Sequence, residues 1–127
     1  MVVRGDVYDR NCPTRVIANH ATGQWGSLVL GKLLDDGGGT KRFSELRREV
    51  SGISEKMLAQ TLQALERDGL VHREVHPVIP PRVDYSLTAL GTHAAKQISE
   101  LFGWIEENLP SFMAAQDEYD ARRAEKV

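Results

Sequence analysis

Cys12 is the only cysteine in this 127-residue chain, and it stands directly before Pro13. Proline suits the first turn of a helix, where its missing N–H costs nothing, so the thiol is expected at or just before a helix N-terminus. Backbone N–H groups there favour an anion, and Arg10 and Arg15 are near in sequence. Both features lower a thiol pKa and raise its reactivity. The alternative is a small buried apolar thiol, the common fate of free cysteines. With no second cysteine, the oxidised products are an adduct or sulfenic acid, a mixed disulfide with a small thiol, or a Cys12–Cys12′ bridge between two copies.

A second set of residues suits hydrogen bonding to base edges. At 100° per residue, Lys56, Gln60, Gln63 and Arg67 fall within about 60° of arc, while Leu58, Leu62 and Leu65 lie roughly opposite. The polar stripe holds no acid. Glutamine suits bidentate reading of adenine; lysine and arginine suit guanine or phosphate. Recognition helices present their N-terminal half to the groove, which favours Ser54, Lys56, Met57, Gln60 and Thr61, with Gln63 adding a contact. Arg67 is expected nearer a phosphate or an internal ion pair. Any amphipathic surface helix also has a polar stripe, so the stripe alone leaves both readings open.

Catalytic chemistry finds no support. His20, His72, His76 and His93 share no metal-ligand spacing such as a helical i, i+4 pair. Gly37-Gly38-Gly39 is followed by Thr40-Lys41, not by the Gly-Lys-Ser/Thr of a phosphate loop. A non-enzyme with no cofactor and no metal is the expectation. One cysteine also excludes a disulfide scaffold and a Cys-rich zinc module.

The chain carries 16 Lys+Arg against 18 Asp+Glu, net −2. That sum conceals a division. Residues 41–83 hold eight basic and six acidic side chains, net +2, whereas residues 100–127 hold three basic and seven acidic, net −4. A mildly basic middle is offset by an acidic tail. No apolar run approaches the roughly 18–20 residues of a membrane span. The first ten residues alternate apolar with charged and lack the apolar stretch of a secretory signal. A cytoplasmic globular protein is expected.

The elements that must position these residues can be placed by period and punctuation. Residues 1–12 read as an extended arm, followed by a helix from Pro13 to about Asn19 and a break over residues 20–23. Trp25, Leu28, Val29 and Leu33 mark one face of a second helix, stopped by Asp35-Asp36-Gly37-Gly38-Gly39. Phe43, Leu46 and Val50 mark a short helix that leaves Arg42, Arg47 and Arg48 on or near the outside. After Ser51-Gly52, Ser54 caps a helix running to about Asp68, and Gly69 suits its C′ position. Residues 70–75 and the alternation of Val83, Tyr85 and Leu87 form a β-hairpin whose tip holds three prolines. Thr88 caps a long helix with apolar positions Leu90, Ala94, Ile98, Leu101, Ile105 and Leu109; Gly91 and Gly103 weaken it locally, and Pro110 ends or restarts it. The predicted class is mainly α with a small β-hairpin: a winged helix-turn-helix over residues 13–91, an N-terminal arm over 1–12, and C-terminal dimerisation helices with an acidic tail over 92–127. Pro80-Pro81-Arg82 stiffens the hairpin tip beside a basic side chain, which suits the minor groove and adds Pro81 and Arg82 to the site. The alternative for Arg82 is a salt bridge to Asp84 or Glu74.

These strings in this order resemble the HxlR-type winged-helix regulators, relatives of the MarR group. The resemblance runs from about Cys12 to Gly91. It rests on Cys12-Pro13, Gly23-Gln24-Trp25, Arg42-Phe43-Ser44-Glu45-Leu46-Arg47-Arg48, Gly52-Ile53-Ser54-Glu55-Lys56-Met57-Leu58, Leu65-Glu66-Arg67-Asp68-Gly69-Leu70-Val71, Pro80 through Thr88, and Leu90-Gly91. It implies a dimeric, sequence-specific, DNA-binding transcriptional regulator, acting as a repressor on a palindromic operator of double-stranded DNA. Members with a cysteine at this position include sensors of quinones, aldehydes and oxidants, which would make Cys12 a redox or electrophile sensor. Relatives usually have lysine before the tryptophan; here Gln24 stands there, so if that lysine meets a phosphate in relatives, this chain lacks the contact. Ile98, Leu101, Phe102, Ile105, Leu109 and Phe112 are too apolar to leave in water and are expected at a homodimer interface. The rival expectation is a regulator without cysteine chemistry, with a small-molecule pocket lined by Trp25, Phe102 and Trp104. A winged helix that binds protein is a further rival.

Overall fold

The computed structural model describes residues 4–125. Among them, α1 spans Pro13–Thr22, α2 Gln24–Gly38, α3 Phe43–Glu49, α4 Glu55–Arg67, α5 Ala89–Glu107 and α6 Leu109–Glu125. Between α4 and α5, strands β1 (Val71–His76) and β2 (Arg82–Leu87) pair antiparallel. Their register sets Val71 opposite Leu87, Val75 opposite Val83 and His76 opposite Arg82.

α2 is the central element, with α1, α4, α5 and β2 packed around it. Its buried face is Val29, Leu30 and Leu33, while Leu28 is left at the surface. α3 contributes Leu46, and α4 contributes Leu58, Leu62 and Leu65. Each leucine of this size stabilises by roughly 1.5–3 kcal/mol when removed from water. Leu70, Val71 and Ala95 close the core.

Three boundaries differ from the sequence expectation, and at Pro110 one of its two alternatives is realised. The residues leading into α1 are turned rather than extended: Asp9 N–H donates to Asp6 O and Cys12 N–H to Asp9 O. α1 continues through His20 to Thr22, and α2 continues past Asp35 to Gly38. Pro110 restarts the chain as a helix, because it falls in the first turn of α6, where no N–H is required of it.

Lys41 supplies an element the sequence does not announce. Its N–H donates to Tyr85 O at 2.9 Å, and Tyr85 N–H donates back at 2.8 Å. This isolated bridge ties the entrance of α3 to β2 of the hairpin. The Lys41 ammonium is nearly buried and bonds the Glu49 carboxylate at 2.9 Å and 3.0 Å. Both ends of α3 are thereby fixed against the hairpin.

α5 carries two apolar faces. Its inner face is built on small residues: Gly91 and Ala95 are buried, and Ala94 and Ile98 pack against the core. A Cβ on Gly91 would lie 1.8 Å from Leu70 O, so glycine here permits close approach rather than weakening the helix. The outer face holds Leu90, Leu101, Trp104 and Ile105, all exposed.

Candidate nucleic-acid interface

α3, the turn over residues 50–54 and α4 form a helix-turn-helix. Gly52 has φ +88, and that left-handed turn lets the chain reverse between the two helices. Ser54 is the N-cap of α4: its hydroxyl accepts from Met57 N–H at 3.0 Å. Gly69, with φ +78, ends the helix. Both punctuation residues stand where the sequence places them.

With Leu58, Leu62 and Leu65 buried, Lys56, Met57, Gln60 and Gln63 are exposed on the other side. Thr61 is half-buried and turns toward the flank. Arg67 is exposed at the C-terminal end, away from the first turns. Arg42 is exposed as the N-cap of α3, and its backbone N–H donates to Glu45 Oε1 at 3.2 Å. Arg47 reaches Glu55 at 3.0 Å, so an exposed ion pair joins α3 to the first turn of α4.

The hairpin packs beside α4. Pro81 and Arg82 are both exposed at its outer end. The Arg82 guanidinium lies 3.6 Å from Asp84, and His76 Nε2 lies 2.9 Å from the same carboxylate. Asp84 faces Glu74 across the ladder, and the Arg82 guanidinium offsets that like-charge pairing.

Cys12 is the N-cap residue of α1, half-buried, with φ −86 and ψ 133. Its Sγ lies 3.3 Å from Thr14 Oγ1 and accepts from Asp6 N–H at 3.5 Å. The thiol is held below its ordinary value by the Thr14 side chain first, then by backbone N–H donors of Asp6 and Thr14; burial and the Asp9 carboxylate oppose this. The expected helix N-terminus is present, but Arg10 and Arg15 are not among the causes. A hollow of about 570 Å³ beside Cys12 is lined by Arg10, Val16, Ile17, Arg67 and Asp68. His20 Nδ1 meets Asp68 Oδ2 at 2.6 Å, which ties α1 to the C-cap of α4.

The residues expected at a dimer interface divide. Leu101 is 54% exposed and Leu109 52%, with Ile105 also exposed. Ile98 instead packs on its own core, because it falls on the inner face of α5. Phe102 and Phe112 are half-buried; the Phe112 ring meets Trp104 edge-on at 5.5 Å. The three aromatics expected around one pocket are also apart. Phe102 lines a groove of about 620 Å³ with Leu28, Val50, Ile105 and the carboxylates of Asp35, Glu49 and Glu106. Trp25 and Trp104 are not among its lining residues: Trp25 packs against the core, and Trp104 is exposed beside Phe112.

Three features were missed in the sequence. The Lys41–Tyr85 bridge is a single pair with no period. The His20–Asp68 contact joins residues 48 apart. The His76–Asp84 pair had a signal, since both lie near the ends of predicted strands, but it needed the register. Among the described residues no group of His, Cys, Asp and Glu is arranged to hold a metal ion, and no helix is long and apolar enough to cross a membrane.

A helix-turn-helix followed by a hairpin, with a cationic and amide-rich outer helix face, defines a winged-helix transcriptional regulator. Residues 21–113 match the family of HxlR-like helix-turn-helix proteins, and the chain belongs to that family. The matched span reaches beyond Gly91 into α6 and starts after Cys12. The HTH-type transcriptional regulator YtfH of Escherichia coli K12 is 49% identical over 114 residues, covering 90% of this chain and 88% of its own. The YtfH structure from Salmonella typhimurium is 48% identical, covers 90% of this chain and 99% of its own, and superposes with a TM-score of 0.82. The redox regulator HypR in its oxidised form is 37% identical, with 76% of this chain and 97% of its own covered and a TM-score of 0.67.

Proposed function

We propose that this DNA-binding regulator is a cytoplasmic homodimer that represses transcription from a palindromic operator. In this reading α4 enters the major groove and the hairpin follows the minor groove. The observation that carries it is the clean division of α4, with three leucines buried and Lys56, Met57, Gln60 and Gln63 exposed beside the hairpin. Ser54, Thr61, Pro81 and Arg82 flank that surface, and Arg42 supplies an exposed cation at the start of α3. Lysine and glutamine at these positions suit guanine and adenine edges.

The dimer rests on α6. This helix spans 17 residues and buries none of them. Helices of that length draw their stability from packing an apolar face; Leu109 and Met113 of α6, with Leu101, Trp104 and Ile105 of α5, supply exposed apolar surface for one. A second copy covers this surface and sets two α4 helices about one turn of DNA apart.

The switch is Cys12. A lowered thiol pKa and a hollow beside it support reaction with oxidants or quinones, and HypR is a redox regulator of similar fold. With diamide, two Cys12 thiols lose two electrons and two protons to the reagent and join as a disulfide. The His20–Asp68 contact passes a shift of α1 to the end of α4. A second reading, a ligand-responsive regulator, is favoured by the groove at Phe102. One assay separates them: mobility shift on the DNA upstream of the chain's own gene, with and without diamide or a quinone. Wild type is expected to bind and be released by the reagent; Cys12→Ser is expected to bind and stay. Release of the variant by the same reagent would leave the groove as the sensing site, and no shifted band under any condition would remove the DNA reading.

A further inference from the structure

Loop tips in water are ordinarily polar, yet the tip of this hairpin reads Pro77-Val78-Ile79-Pro80-Pro81 and holds no charged side chain. Ile79 is 100% exposed and Val78 52% exposed. Nothing among the described residues covers either, and neither belongs to the core. The tip is also stiff. Three prolines fix their own φ angles, and Val78 N–H donates to His76 O at 2.8 Å. A rigid apolar side chain loses little freedom on docking, so this tip is built to insert rather than to yield.

The flanking chemistry selects what it inserts into. His76 and Arg82 stand opposite one another at the base of the tip, Val75 and Val83 form the next pair, and Glu74 and Asp84 the one after, with Asp84 in contact with both His76 and Arg82. An apolar point with the exposed Arg82 guanidinium behind it fits a surface that is anionic outside and apolar within. A DNA minor groove has that character, with phosphates on both walls and stacked bases between them. The hairpin packs beside α4, so a tip in the minor groove is compatible with α4 in the adjacent major groove.

We propose that Ile79 is a wedge that enters the minor groove, partly unstacks one base step and bends the operator. This rests on the DNA-binding reading above and adds to it a bend and a sequence preference at a position α4 does not touch. Apolar side chains inserted in this way kink duplexes away from the groove they enter, and pyrimidine–purine steps yield most easily. Val78 supports the wedge from behind, and Arg82 holds the nearest phosphate.

The test begins with duplexes that the wild-type chain selects from a random-sequence pool, labelled with a donor and an acceptor dye at their ends. Wild type is expected to shorten the end-to-end distance. Ile79→Ala is expected to bind the same duplex about three- to tenfold more weakly, since part of the lost apolar contact is offset by stacking that is no longer broken. Its complex should keep the end-to-end distance of the free duplex. Ile79→Met should retain the bend. Replacing the pyrimidine–purine step under the wing by a stiff A-tract should weaken wild type and leave Ile79→Ala unchanged. Because Ile79 makes no core contact, circular dichroism of both variants should match wild type. Equal bending by wild type and Ile79→Ala overturns the wedge while the DNA reading stands. A pool that yields no enriched sequence overturns both. Cosedimentation of wild type with phosphatidylserine vesicles, abolished by Ile79→Ala, would assign the tip to a bilayer and overturn the wedge.

Discussion

Cys12 owes its acidity to hydrogen-bond donors and not to neighbouring arginines, and that origin fixes how its reactivity varies with pH. The thiolate is the nucleophile, and its fraction rises as pH passes upward through the pKa. A folded-state value lowered from the ordinary 9.0 moves that rise to lower pH. The rate of iodoacetamide alkylation of Cys12, plotted against pH, should therefore level off below the pH at which a free thiol does. Thr14→Val removes the leading cause and should shift the profile upward; an unchanged profile would show that the threonine plays no part. Gln60 offers a separate test at this scale. Gln60→Ala should cost about 1–3 kcal/mol of discrimination at one base pair per half-site, with little change at the others. Competition binding against single-base operator variants checks it, and a uniform loss at every position would mean Gln60 does not read a base.

At the scale of elements, the turn between α3 and α4 sets the direction in which α4 leaves α3. Gly52 sits at φ +88, where a side chain costs roughly 1–2 kcal/mol. Gly52→Ala should lose about that much stability in urea unfolding, and no loss would mean the turn relaxes freely. Space is not the obstacle, because the added Cβ would meet only the Trp25 ring at 3.9 Å. This turn was legible in the sequence: Ser54, Gly69 and Thr88 announce helix ends through side chains and backbone angles that few other residues supply. The partition of α5 was not. Hydrophobic size ranks Leu90 and Leu101 above Gly91 and Ala95, yet the core takes the small pair; at Gly91 the Leu70 carbonyl comes too close for any side chain. Periodicity locates a helix and its apolar content. It does not say which of two apolar faces points inward when the neighbouring backbone sets the distance. The same limit explains Ile98, which was expected at an interface and packs inside.

For the whole molecule, the near-zero net charge constrains how binding is achieved. With net −2 overall and only +2 over residues 41–83, a single copy attracts phosphate weakly. Few phosphate contacts per copy give a shallow dependence of affinity on salt. On the proposed reading, affinity for a palindrome comes from two copies held at the correct spacing, and the exposed surface around Leu101 and Leu109 is the proposed seat of that coupling. Both side chains are more than half exposed in one copy, so charging them leaves the core intact. Leu101→Asp combined with Leu109→Asp should fold normally, sediment as a monomer at micromolar concentration, and bind a full palindrome about 10²–10⁴-fold more weakly than wild type. Its affinity for an isolated half-site should be unchanged. Equal loss on half-site and palindrome would place the damage in the reading surface, and a variant that still sediments as a dimer would move the interface away from α5 and α6.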